Sequence, residues 1–182
     1  MSSLVAPGAA LLLAGLLVAS AAAAAPAGRF GVHGLAPATA GQNRAQAEAA
    51  LGQPLQPEPV PPGRAASAAA NPASRCHHRM AALQPGVRYT LVGDVVARME
   101  TRDPRYSTLS GVHVGDTVAR VQQVYGKRLT STPHPYFDRG QVLSVYAPDR
   151  KFALVMEAND QGRIITLRGG RLPEVVWLEG CS

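Results

Sequence analysis

Two stretches of this chain, 74 residues apart, carry the same local punctuation. Gly41-Gln42-Asn43-Arg44-Ala45-Gln46-Ala47-Glu48-Ala49-Ala50-Leu51-Gly52 aligns without gaps on Gly115-Asp116-Thr117-Val118-Ala119-Arg120-Val121-Gln122-Gln123-Val124-Tyr125-Gly126. In each, a short polar side chain two places after a glycine suits an N-cap, where its oxygen accepts an orphan backbone N–H. In each, a closing glycine suits the left-handed residue beyond the last turn. The second copy is amphipathic, with Val118, Val121, Val124 and Tyr125 on one helical face. Leu55 and Leu129 follow at equal distances beyond their glycines. The spacing predicts a duplicated helix-plus-sheet unit; capped helices that look alike by chance are the alternative.

Strands are expected after each helix. Val87–Val92 and Val95–Glu100 flank Gly93-Asp94, which suits a tight hairpin. In the second half, Gln141–Tyr146, Phe152–Glu157, Arg163–Leu167 and Glu174–Leu178 are short runs rich in β-branched or aromatic residues. Between them lie Ala147-Pro148-Asp149, Asn159-Asp160-Gln161-Gly162 and Gly169-Gly170, read as turns. Consecutive strands with short turns pair antiparallel, which predicts a four-stranded meander. Residues 53–75 hold six prolines and no aromatic, so they predict a long mobile Pro/Ala-rich loop.

The fold expected is α+β, in two tandem helix-plus-antiparallel-sheet units, the first degenerate. Residues 26–105 form the first unit, with disordered loop 53–75, and residues 106–182 form the second helix-plus-four-strand unit.

Residues 1–25 contain no charged side chain, and Ala9–Val18 is an apolar run of signal-peptide length followed by small residues at Ala19, Ala21, Ala23 and Ala25. The run is too short for a bilayer span, and Pro26 and Gly28 follow without a basic stop-transfer cluster. Residues 1–25 therefore read as a signal peptide cut between Ala21 and Ala25, although the usual positive n-region is missing; an uncleaved anchor is the alternative. Export implies an oxidising space, periplasmic or extracellular, where Cys76 and Cys181 would pair in a disulfide; two unpaired cysteines are the alternative.

The formal charge is +6, and every basic residue except Lys127 and Lys151 is an arginine. Such an excess fits phosphate or carboxylate recognition, but equally a base-composition bias that also enriches Ala, Gly and Pro. The basic residues are spread along the chain without a run, which argues against nucleic-acid binding.

Gly111-Val112-His113-Val114-Gly115-Asp116-Thr117, the helix it leads into, the hairpin from Phe152 to Leu167 and the closing Glu179-Gly180-Cys181 together resemble small bacterial envelope proteins. The relatives named by this resemblance are proteins of the β-lactamase inhibitory protein-like fold and the small lipoprotein of the outer-membrane barrel-assembly machinery. It is carried by residues 106–181. It implies helices on antiparallel sheets and a protein-binding surface without catalysis. The chain departs from the lipoprotein in lacking a lipidation cysteine, and from the inhibitor in having two cysteines where more are usual.

Catalytic patterns are missing from the sequence. The histidines His33, His77, His78, His113 and His134 include no i, i+4 pair, and no H-E-x-x-H, C-x-x-C or G-x-S-x-G occurs. His77 and His78 beside Cys76 invite a metal, yet adjacent strand residues face opposite sides. Asp116 reads as a partner of the helix N-terminus, and Gly111 and Gly115 lack the Gly-Lys-Ser/Thr of a phosphate loop. No catalytic, cofactor or metal site is expected.

Recognition is expected at Thr132–Gly140, where two prolines restrict the backbone and His134, Tyr136, Phe137 and Arg139 are the contact candidates. The plainer alternative has Tyr136 and Phe137 open a strand and pack inward. Trp177 reads as core on a terminal strand. The function expected is a non-catalytic, inhibitor-like protein-binding module with a protein partner in the envelope, no nucleic acid and no stable membrane anchor. A structural envelope component is the alternative, with a hydrolase of unfamiliar site behind it.

Overall fold

A computed structural model describes residues 28–59 and 75–181. The expected signal peptide and most of the Pro/Ala-rich stretch lie outside the described residues. Among the described residues the protein is mostly β-sheet with two short α-helices, a mixed α+β architecture.

The two helices are α1 (Arg44–Leu51) and α2 (Val118–Tyr125). Both N-caps form as expected: Asn43 accepts from Gln46 N at 2.9 Å and Thr117 accepts from Arg120 N at 3.1 Å. Gln46 completes a capping box by accepting from Asn43 N at 3.0 Å. Gly52 is left-handed (φ 66, ψ 19), whereas Gly126 (φ 52, ψ −128) turns the chain into a 3-10 segment, Gly126–Arg128. Each helix buries one i, i+4 pair, Ala47 with Leu51 and Val121 with Tyr125.

The strands are β1 (Arg29–Gly31), β2 (Gly34–Leu35), β3 (Gln56–Pro57), β4 (Cys76–Met80), β5 (Val87–Val92), β6 (Val95–Thr101), β7 (Ser107–Thr108), β8 (Leu129–Pro133), β9 (Gln141–Tyr146), β10 (Phe152–Ala158) and β11 (Ile164–Arg171). Eight of them build one sheet in the order β3-β4-β5-β6-β11-β10-β9-β8, antiparallel throughout, and β2-β1-β7 form a small second sheet. The β5–β6 hairpin turns on Gly93 (φ 59) and Asp94 (φ 64), the pair of positive φ angles that a tight primed turn requires.

One face of the large sheet, with Tyr89, Leu91, Met99, Leu143, Leu154, Met156 and Leu167, packs against Leu51, Val121, Tyr125, Phe30, Leu35 and Tyr106. This is the main hydrophobic core. A smaller cluster of Ala153, Val155 and Val175 lies under the C-terminal segment.

Three expectations need correction. Residues 53–59 are not loop throughout, since Gln56 and Pro57 pair with Met80 and Arg79 at the sheet edge, where a missing N–H is tolerated. Gly169-Gly170 is not a turn but part of β11. A Cβ on Gly169 would stand 2.7 Å from Gly34 N and 2.8 Å from Gly34 Cα, and one on Gly170 would stand 2.5 Å from Ala97 O and 2.7 Å from Arg98 Cα, so the missing side chains admit neighbouring backbone at both positions. Glu174–Leu178 is not a strand, because β11 already has β6 and β10 on its two edges. That segment instead forms a 3-10 turn, Glu174–Val176, and the fourth strand of the second meander is Leu129–Pro133.

Candidate functional site

Strand alternation puts Arg88, Thr90, Arg98, Glu100, Glu157, Thr166 and Arg168 on the sheet face away from the helices. Charged residues so placed normally meet water, but this face is crossed by residues 172–181. Arg98 and Arg168 are consequently 1% and 2% exposed.

Burial of such charges is tolerated only with partners, and here they form a continuous chain. His134 Nε2 lies 3.5 Å from Glu157 Oε2. Glu157 accepts from Arg168, whose Nε donates to Glu100 Oε2 at 3.0 Å. Glu100 also binds Arg98 at 2.9 Å and Arg88 at 3.1 Å, and Arg88 reaches Glu58 at 2.6 Å. Desolvation lowers the pKa of Arg98 to about 10, partly countered by Glu100. Burial by itself would raise the Glu100 carboxyl, but Arg168, Arg98 and Arg88 outweigh it and hold the group below its ordinary value.

The two buried arginines also grip the covering segment. Arg98 donates to Glu174 O at 3.2 Å and to Trp177 O, and Arg168 donates to Val175 O at 3.3 Å. Arg171 holds Glu174 at 2.6 Å. The segment ends in a disulfide between Cys76 and Cys181, with Cα atoms 5.3 Å apart. The expected bridge is thus present, and it fastens a strap over the polar face of the sheet.

Of the residues expected to make contacts, Tyr136 meets this strap. His134 is buried, and its Nδ1 accepts from Tyr136 N at 3.1 Å. His134 is a pivot of the loop rather than a surface contact. Phe137 is half-buried, 4.7 Å from the His134 ring between centroids. Tyr136 is 63% exposed, and its hydroxyl donates to Glu179 on the strap. Arg139 is exposed, and its N–H donates to Asp160 at 2.9 Å. Neither Tyr136 nor Phe137 lies in a strand, and Trp177, expected in the core, is partly exposed. Tyr136, Trp177, Glu179 and the disulfide border a groove of about 650 Å³.

His77 and His78 pair with Leu91 and Thr90, adjacent residues whose side chains leave opposite faces of β5, and no cluster of three metal-ligating side chains occurs among the described residues. His78 Nδ1 lies 3.1 Å from Thr90 Oγ1, and burial together with Arg88 lowers its pKa. Sequence reasoning missed the Glu58-Arg88-Glu100-Arg98-Arg168-Glu157 chain. The available signal was the i, i+2 pair Arg98 and Glu100 inside a strand otherwise built from Val, Ala, Met and Thr. No helix among the described residues is long and apolar enough to cross a membrane.

No family model matches the chain, and no curated protein matches it. Among solved structures it is similar to a crystal structure of a DUF4309 family protein (YjgB) from Bacillus subtilis, with a TM-score of 0.43 and 14% identity over 75% of this chain and 84% of that one.

Proposed function

We propose that this protein is an exported, non-catalytic protein-binding module that works in the periplasm or outside the cell. The observation that carries the reading is the groove between the β8–β9 loop and the disulfide-fastened strap, where exposed Tyr136 and partly exposed Trp177 stand together on a braced frame. Tyr and Trp dominate binding energy at protein interfaces, and a frame already fixed lowers the ordering cost of association. The Glu58, Glu100 and Glu157 carboxylates each accept from arginine, which gives them a structural task and favours binding over chemistry. Export is favoured by the disulfide, which forms and persists in oxidising compartments.

The binding frame is in this reading a tandem repeat, as the sequence echo leads one to expect. Several matched contacts support it. Thr39 N donates to Gln42 and His113 N to Asp116, Asn43 bridges to Val95 and Thr117 to Arg163, and Arg44 N donates to Asp94 O as Val118 N does to Gly162 O. Each set leads from a helix into four strands that meet at β6 and β11.

The test is crosslinking and pull-down from envelope extract with wild type and with Tyr136→Ala/Trp177→Ala. A partner captured by wild type and lost by the double variant is the expected result. Retention of every partner by a folded double variant removes the groove, and fractionation of the protein solely with insoluble envelope material favours a scaffolding role.

A further inference from the structure

Basic residues that are scattered along the sequence converge at one end of the sheet. Lys127 and Arg128 lie in the 3-10 segment between α2 and β8, and Arg150 and Lys151 lie in the turn between β9 and β10. Leu129 pairs with Val145, and Ala147 N donates to Phe152 O at 2.9 Å. The residues before Leu129 and those after Tyr146 therefore emerge from the same end of adjacent strands.

All four side chains are exposed. The Arg128 guanidinium lies 5.6 Å from the centre of the Tyr125 ring, and that of Arg150 lies 5.0 Å from the centre of the Tyr146 ring. Ring faces hold the cations in place while leaving their N–H donors free. Arg150 also adopts φ 53, a backbone state that glycine or asparagine enters more readily. Asp149 in the same turn accepts from Lys151 N at 3.0 Å, and Glu174 on the strap is engaged by Arg171. Among the described residues no carboxylate forms an ion pair with any of the four cations.

We propose that this tip docks the protein reversibly on an anionic phospholipid surface. The cations crown two turns at one end of adjacent strands, an arrangement that fits a flat field of phosphates better than a duplex or an acidic chain. Attraction to such a surface is worth about fivefold in partition per basic side chain and vanishes with screening. This docking is separate from the Tyr136 and Trp177 groove, so one end of the protein would rest on lipid while the groove meets its partner.

The test is co-sedimentation of the full chain, as cells produce it, with vesicles of phosphatidylcholine alone or containing phosphatidylglycerol. A contribution common to every variant multiplies both partitions alike, so the readout is the ratio of the two. We expect a clear preference for phosphatidylglycerol that disappears in about 1 M salt, where the screening length is about 3 Å. Arg150→Asn/Lys151→Gln should lower the ratio about 25-fold, and Lys127→Gln/Arg128→Gln should do the same by an independent route. Arg102→Gln/Arg120→Gln removes equal charge away from the tip, Arg102 just beyond the Thr101 end of β6 and Arg120 in the first turn of α2, and should change it less than about twofold. The proposal is overturned if the vesicles bind equally, if the Arg102/Arg120 variant loses as much as the tip variants, or if duplex DNA binds the tip more tightly than the vesicles do.

Discussion

Arg168 on β11 and Glu100 on β6 stand directly opposite one another at the centre of the sheet, with Nε 3.0 Å from Oε2. They join strands 68 residues apart in sequence and lie beneath the C-terminal strap. Glu100 is also the shared acceptor for Arg98 and Arg88, so one carboxylate neutralises much of a buried positive cluster.

Replacing Glu100 by Gln should therefore cost about 3–5 kcal/mol, because Arg98 and Arg168 lose their common counter-charge in a dry setting. Urea unfolding at neutral pH measures this. The pH dependence follows from the depressed carboxyl: its contribution is present above the ordinary value of 4.5 and is lost as pH falls through the lower, folded value. The Gln variant should lack that acid-dependent loss. A Glu100→Leu/Arg168→Leu double variant should be less destabilised than the sum of its single variants.

Reduction, or Cys76→Ser/Cys181→Ser, should remove about 4 kcal/mol, since the bridge closes a loop with a sequence separation of 105. Comparison of denaturation midpoints with and without reductant checks this. An unchanged midpoint would show that Arg98 and Arg168 seat the strap without the bridge.

Gly169→Ala should destabilise by about 3 kcal/mol, as the added Cβ meets the Gly34 backbone, which cannot swing aside like a side chain. The same substitution at Gly162, where nothing lies within 4 Å of the added Cβ, meets only the strain of its φ of 66. Thermal unfolding of the two variants separates steric from conformational cost.

His78 should make stability fall in mild acid. Burial and the nearby Arg88 depress its folded pKa below 6.5, so the unfolded chain takes up the proton more readily. The stability present above pH 6.5 is then lost as the pH drops towards the folded value. Unfolding curves at pH 7.5 and 5.5 should show a smaller difference for His78→Gln than for wild type, with His77 supplying a further slope of the same sign.

Short-range features were legible in the chain because their causes are short-range. Asn43, Thr117 and Gly52 end helices through contacts within a few residues, and Gly93-Asp94 bends a hairpin by its own φ angles. Gly169-Gly170 misled for the complementary reason. As a dipeptide it looks like a turn, and only the backbone packed against it explains two glycines inside a central strand. His134 misled likewise, since its proximity to Glu157 depends on strand order and not on its neighbours in sequence.

The sequence by itself determined the two capped helices, the turns at Gly93-Asp94, Ala147–Asp149 and Asn159–Gly162, the pairing of two cysteines and the general sheet content, all of which follow from local conformational preference or from the chemistry of two thiols. Tertiary structure alone decided that Glu174–Leu178 would cross a sheet face instead of extending its edge. That crossing buries Arg98 and Arg168, and the register of distant strands supplies Glu100 and Glu157 as their partners. It also decided that Lys127, Arg128, Arg150 and Lys151 share one tip. Burial and charge clustering depend on which distant segments meet, a property that no local window of residues contains.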